Sequence, residues 1–200
     1  MRPNQIDIYS NLFFNCFRED PGVSAQLFNL ERGDELFKAQ CRGEIEAFGK
    51  AGLLTAVGED DGIMVAFSSQ FTELPEYIQI LQESSKYIFE TANSEELAVI
   101  IDRANKALII SQPDWYKKFV TNVYILQIIA VNPKMCGKGV FRKLITPLIE
   151  KSDKEKIPVA LQTYNPDNLK KYEHFGFKIM ESVSSKELNL TCYNMLRYPE

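Results

Sequence analysis

Residues 129–143, IAVNPKMCGKGVFRK, place two glycines, Gly137 and Gly139, between an apolar run and the helical pattern Val140, Leu144 and Leu148. In that order the free N–H groups of a helix start stand at the end of a strand, where unpaired donors and the helix dipole stabilise an anion. The chemistry implied is the binding of a phosphate-bearing ligand. Lys134, Lys138, Arg142 and Lys143 form a local cationic rim on a chain whose formal net charge is -4. Cys136 invites a nucleophile reading, because a thiol at a helix start can ionise more easily. The sole histidine, His174, lies on another element and offers it no assignable partner, so an incidental thiol is the plainer reading.

The same turn excludes two nucleotide chemistries. A dinucleotide fingerprint needs a third glycine at position 142, where Arg142 stands, and no acidic residue ends the next strand, which closes in Gln162-Thr163. A P-loop needs Gly-Lys followed by Ser or Thr, whereas Gly137-Lys138 is followed by Gly139. A short glycine turn with close backbone approach remains. Its plain structural alternative is a solvated helix start with ordinary surface lysines.

A second element follows. Asn165-Pro166-Asp167 is a strong helix start, with a capping side chain, a proline suited to the first position and a carboxylate at the positive end of the dipole. Gly176 ends it. Leu169, Tyr172 and Phe175 recur every three residues, which by itself makes Tyr172 a core-facing aromatic. His174, two residues on, belongs to a different face and reads as solvated. Pro147 is expected to bend or split the helix that begins at Val140.

These residues need elements to hold them. Apolar spacing predicts amphipathic helices over residues 5–19 and 32–50, covering a sheet. Strands are expected over Gly52–Ala56 and Ile63–Ser68, joined through GEDDG as a hairpin. Residues 74–109 return to a helical pattern, with Pro75 at one start and Ser94-Glu-Glu as a cap and acidic first turn at another. Val123–Val131 reads as a strand buried on both faces, and residues 158–163 as a further strand. No linker, repeat or low-complexity tract divides residues 1–200, so one domain is expected.

Composition narrows the function further. Two hundred residues that are 45% hydrophobic suffice for one sizeable core. Net negative charge argues against nucleic-acid binding, which needs a broad basic surface. Cys16, Cys41, Cys136 and Cys192 are scattered without CxxC spacing, so neither a disulfide framework nor a metal site is expected. No run approaches ~20 apolar residues and no leader pattern opens the chain, so a cytoplasmic protein with no membrane role is expected.

The two elements together resemble the GNAT N-acetyltransferases, whose acetyl-CoA-binding signature is Gln/Arg-x-x-Gly-x-Gly/Ala after a strand reading like Leu-Ala-Val-x-Pro. Ile129-Ala130-Val131-Asn132-Pro133 matches the strand end, and residues 136–141 occupy the signature. Cys136 replaces the usual Gln/Arg, and Phe141 replaces the last small residue. Asn165, Tyr172 and Gly176-Phe177 reproduce the family's Asn, Tyr, Gly-Phe spacing.

The resemblance implies an α/β fold with a mixed, mostly antiparallel sheet, splayed central strands and flanking helices, and a cofactor-binding core over residues 122–183. It implies transfer of an acetyl group from acetyl-CoA to a primary amine by direct attack, without a metal. Ile129, Ala130 and Val131 would align the pantetheine, and Gly137, Lys138, Gly139, Val140 and Phe141 the pyrophosphate. Asn165 would hold the pantetheine or phosphate portion, and Tyr172 would protonate the leaving thiolate. A phenol of pKa ~10 can donate to a thiolate whose own pKa is ~8.5.

The general base stays open among Glu96, Asp114 and a water near Tyr124 and Gln127. The acceptor is a small-molecule or peptide amine, and a homodimer is possible. Two other readings also stay open. One is a catalytically inactive GNAT-like domain that binds acyl-CoA or a protein partner, and the other is a phosphate-ligand sensor of another α/β fold.

Overall fold

The computed structural model describes every residue except Phe28. Helices α1 (Pro3–Phe17), α2 (Pro21–Leu27) and α3 (Gly33–Lys50) precede the hairpin of β1 (Leu54–Val57) and β2 (Gly62–Ser68). Then come α4 (Pro75–Thr91), α5 (Ser94–Ile110) and β3 (Tyr124–Val131). The chain ends with α6 (Val140–Glu155), β4 (Val159–Thr163), the short α7 (Leu169–Glu173), β5 (Lys178–Ser185) and β6 (Leu190–Arg197).

All strands join one sheet in the order β1-β2-β3-β4-β6-β5, antiparallel except where β3 meets β4. This is the mixed, mostly antiparallel sheet that the resemblance implied. Helices cover both faces because each presents one apolar stripe. On one side, Leu12, Phe13 and Phe14 of α1 and Phe37, Cys41, Ile45 and Phe48 of α3 pack onto Ile63, Val65, Phe67, Ile128 and Ala130. On the other, Val140, Leu144, Ile145 and Leu148 of α6 pack with Tyr172 and Phe177 onto Met64, Leu126, Leu161 and Met195. Each buried Leu, Ile or Phe contributes ~1.5–3 kcal/mol.

Several local expectations are revised. The Ser94 start is capped by Asn93, whose side chain accepts from Glu95 and Glu96 N–H while Glu96 reaches back to the Asn93 N–H at 2.9 Å. Helix α6 runs through Pro147 to Glu155 without splitting; Pro147 is exposed, so its ring meets water rather than the sheet. The element beginning at Asn165 is a 3-10 turn (Pro166–Asn168) followed by the five-residue α7, not one long helix. Strand β3 is not buried on both faces throughout, because Gln127 is exposed.

Candidate active site

Strands β3 and β4 pair in parallel only at Tyr124↔Val159 and Ile125↔Ala160. Beyond these positions they separate, and the last six residues of β3 lack a partner on that side.

A bulge decides which peptide groups face the gap. The β2 register shifts between Val65 and Ala66, which lie opposite Ile128 and Leu126, leaving Gln127 as the extra residue of β3. Before the bulge, the Val123 N–H turns towards β2 and donates to Ser69 Oγ at 3.0 Å, while the Tyr124 N–H turns towards β4 and donates to the Pro158 carbonyl at 2.8 Å. After it, the Asn132 N–H donates back to the Asp61 carbonyl at 2.9 Å. Alternation along the strand therefore turns Ile129 and Val131 towards the gap. Ala130 turns its peptide groups into the β2 ladder and its methyl into the core.

At the end of this strand lies the glycine turn. Gly137 and Gly139 have φ of 75° and 76°, the left-handed region that a side chain disfavours, and a Cβ at either would meet nothing within 4 Å. Gly139 opens α6 without any side-chain cap, and the first N–H of the helix with a backbone acceptor is that of Lys143, bonded to the Gly139 carbonyl at 3.0 Å. The N–H groups of Val140, Phe141 and Arg142 are thus left as donors.

Lys134, Lys138 and Lys143 are exposed around the turn. Arg142 instead lies over the Phe175 ring at 5.1 Å and contacts His174 Nε2 at 3.0 Å. Lys171 of α7 adds a cation that the sequence reading did not include, 5.5 Å from the centre of the Phe141 ring. Cys136 is exposed, and Phe141 is folded onto Phe175 (5.3 Å) and Tyr172 (6.0 Å).

Tyr172 is 8% exposed, held between Phe141 and Phe177. Burial, with a smaller contribution from Asp20, raises its pKa far above that of a free phenol. Among the described residues its hydroxyl has no hydrogen-bond partner, yet no polar side-chain atom there is both sealed and unpartnered. The Tyr172 oxygen therefore opens onto accessible space. Asn165 sits just after β4, where its side chain accepts from the Asp167 N–H at 3.0 Å and its N–H donates to Thr163 Oγ at 3.3 Å.

A cavity of about 440 Å³ occupies the side of the gap beneath α1 and α3. Ile125, Leu126 and Gln127 line it from β3, and Ala160 to Tyr164 from the β4 side. Phe17, Phe37, Tyr77 and Trp115 supply aromatic wall, and its carboxylates are Asp20 and Asp114.

Asp20 is the residue that sequence reasoning missed. It caps α2, accepting from the Gly22 N–H at 2.9 Å, and burial raises its carboxyl pKa while the Gly22 and Val23 N–H groups oppose the rise. Its signal was present as Asp20-Pro21, a helix start lying between the two helices expected over residues 5–19 and 32–50. Tyr164, also in the wall, is pushed up to about 12 by burial.

Of the other candidates, Asp114 lines the cavity, as does Gln127, one of the two residues expected to hold a water. Glu96 does not: it is committed to its capping box and to Arg32 at 3.1 Å. Tyr124 points to the opposite face, where it donates to Glu155.

No family model matches the chain. A curated relative, an uncharacterised N-acetyltransferase of Schizosaccharomyces pombe, is 33% identical over 93 residues, 45% of this chain. The match spans 33% of that relative's length. Among solved structures, the histone acetyltransferase HPA2 and related acetyltransferase of Corynebacterium glutamicum superposes over 100% of this chain and 94% of its own, with TM-score 0.63 and 13% identity. The mosquito arylalkylamine N-acetyltransferase like 5b covers 98% of this chain and 96% of its own, with TM-score 0.59 and 12% identity. With its β3–β4 splay and glycine turn, the chain has the fold of these acetyltransferases, the GNAT fold.

Proposed function

We propose that this chain is an acetyl-CoA-dependent N-acetyltransferase acting on a primary amine, with residues 122–183 as the cofactor-binding core of a single domain. The observation that carries this reading is the splay of β3 from β4, which leaves the peptide groups of Ile129 and Val131 unpaired by any strand between an open helix start and a cavity. The residues present suit coenzyme A chemically. Free N–H groups at Gly139 to Arg142 and three exposed lysines match a pyrophosphate. The two strand peptides match the amides of a pantetheine arm.

Asp20 receives the acceptor's ammonium group and takes its proton, since a carboxylate with a raised pKa is a better base than a free one. The neutral nitrogen then attacks the thioester carbonyl carbon, forming the C–N bond. As the C–S bond breaks, the Tyr172 O–H delivers its proton to the departing sulfur, and the second proton that the nitrogen sheds as the amide forms restores the phenol. The raised pKa of Tyr172 keeps it protonated for that step. Holding both reactants in one gap supplies proximity, a large share of the rate in such transfers. Two carboxylates in the cavity wall favour a cationic acceptor.

The test is release of free coenzyme A thiol from acetyl-CoA in the presence of an amine panel, with melting curves measured in parallel. Binding selective for the native state raises the melting temperature. Absence of both a thermal shift and thiol release would sink the proposal, whereas a shift without release would favour the acyl-CoA-binding alternative.

A further inference from the structure

Helix α3 carries four acidic residues, and three of them have basic partners: Asp34 with Arg18 at 3.8 Å, Glu35 with Arg32 at 2.8 Å and Glu46 with Lys50 at 2.6 Å. Glu44 has none among the described residues. Its recorded hydrogen bond comes from Gln40 Nε2, one turn earlier, at 2.9 Å. Burial raises the Glu44 carboxyl pKa and the Gln40 amide opposes the rise. A partly buried carboxylate without a cation, standing one residue behind the wall of a cavity, calls for a physical reason.

Both of its neighbours supply one. Gln40 and Tyr77 line the cavity of the proposed acceptor site, and the charge of Glu44 acts on the Tyr77 hydroxyl. Asp20 reaches the same cavity from the start of α2, a different element. The apolar rings of Phe17 and Phe37 line it as well, and suit a methylene chain.

We infer that Glu44, presented through Gln40, receives a second cationic group of the acceptor, making the substrate a diamine or another amine with a charged far end rather than a simple monoamine. This rests on the acetyl-transfer reading for the identity of the reacting end. In the filled cavity the Gln40 amide swings aside or bridges, and the incoming cation neutralises a charge that otherwise stands alone.

The experiment is calorimetric titration of the full chain with putrescine and cadaverine against butylamine and pentylamine, repeated on Glu44→Gln and Gln40→Leu. Wild type is expected to bind the diamines roughly tenfold or more tightly than the matched monoamines, the scale of one charge-assisted contact in a desolvated site. Glu44→Gln is expected to collapse that ratio towards one. Melting curves verify that both variants fold, and folding is expected because Glu44→Gln removes an uncompensated charge.

Equal affinities in wild type, or a ratio that survives Glu44→Gln, would overturn the inference. The same amines are then assayed for thiol release. Turnover of monoamines with no diamine preference defeats this inference and leaves the transferase reading standing. Diamine binding through Glu44 without thioester cleavage does the reverse.

Discussion

The Cys16 thiol donates to the carbonyl of Val131 at 3.2 Å, reaching from the last turn of α1 to the end of β3. It thereby occupies a peptide group that the splayed sheet leaves without a strand partner. Burial pushes this thiol up to about 11, so at neutral pH it is the protonated donor that the contact requires.

Alkylation should therefore separate two of the cysteines. Thiolate is the reactive form, so iodoacetamide is expected to label exposed Cys136 rapidly and Cys16 at least about tenfold more slowly. Peptide mass spectrometry over time measures both rates. Faster labelling of Cys16 would contradict its placement against Val131.

Tyr172→Phe isolates the proton donor. Because the lost hydroxyl has no hydrogen-bond partner among the described residues, the melting temperature should hardly change. Turnover should fall about 10²-fold or more if the phenol supplies general acid catalysis. An unchanged rate across pH would remove Tyr172 from the mechanism and leave it as a core aromatic.

Asp20→Asn keeps the cap of α2, since asparagine caps a helix start about as well as aspartate. Asp20 has a raised folded-state pKa, so the folded chain holds this proton more tightly than the unfolded one. The ionised carboxylate therefore costs stability above its folded pKa, and that cost fades as pH falls through it. The variant should be at least as stable as wild type at neutral pH, yet lose most of its kcat/KM. The acid limb of the wild-type profile, with its midpoint above the ordinary aspartate value, should be absent from the residual activity of the variant.

Gly139→Ala places a side chain at φ 76° in open space, so its effect is conformational rather than steric. The expected cost is ~1–2 kcal/mol for the left-handed backbone. Part should appear as a lower melting temperature and part as weaker acetyl-CoA binding, read by calorimetry. Full retention of both would show that the turn tolerates a different geometry.

The sequence made much of this architecture legible because its local signals agreed with its packing. Pro75 starts α4, Gly139 and Gly176 take positive φ, and the stripe of Val140, Leu144 and Leu148 is the face that α6 buries. The glycine turn could be read because its chemistry lies within a few consecutive residues. What was not legible depends on distance in the chain. Asp20 and Gln127 meet in one cavity although more than a hundred positions separate them, and no periodicity records that meeting. Asp20-Pro21 was obscured because α2 is only seven residues long, too short for an apolar repeat to show. Glu96 looked equally available in sequence, but Arg32 and the Asn93 cap hold it.

The surplus residue at Gln127 makes β3 two ladders spliced end to end, the first hydrogen-bonded on both sides and the second on one. Rigidity and recognition are thus allotted to separate stretches of a single strand. A change that tightens residues 124–126 strengthens the scaffold without touching the peptides at 129 and 131, and removing the surplus residue would merge the two stretches into one regular ladder with those peptides still turned towards the gap.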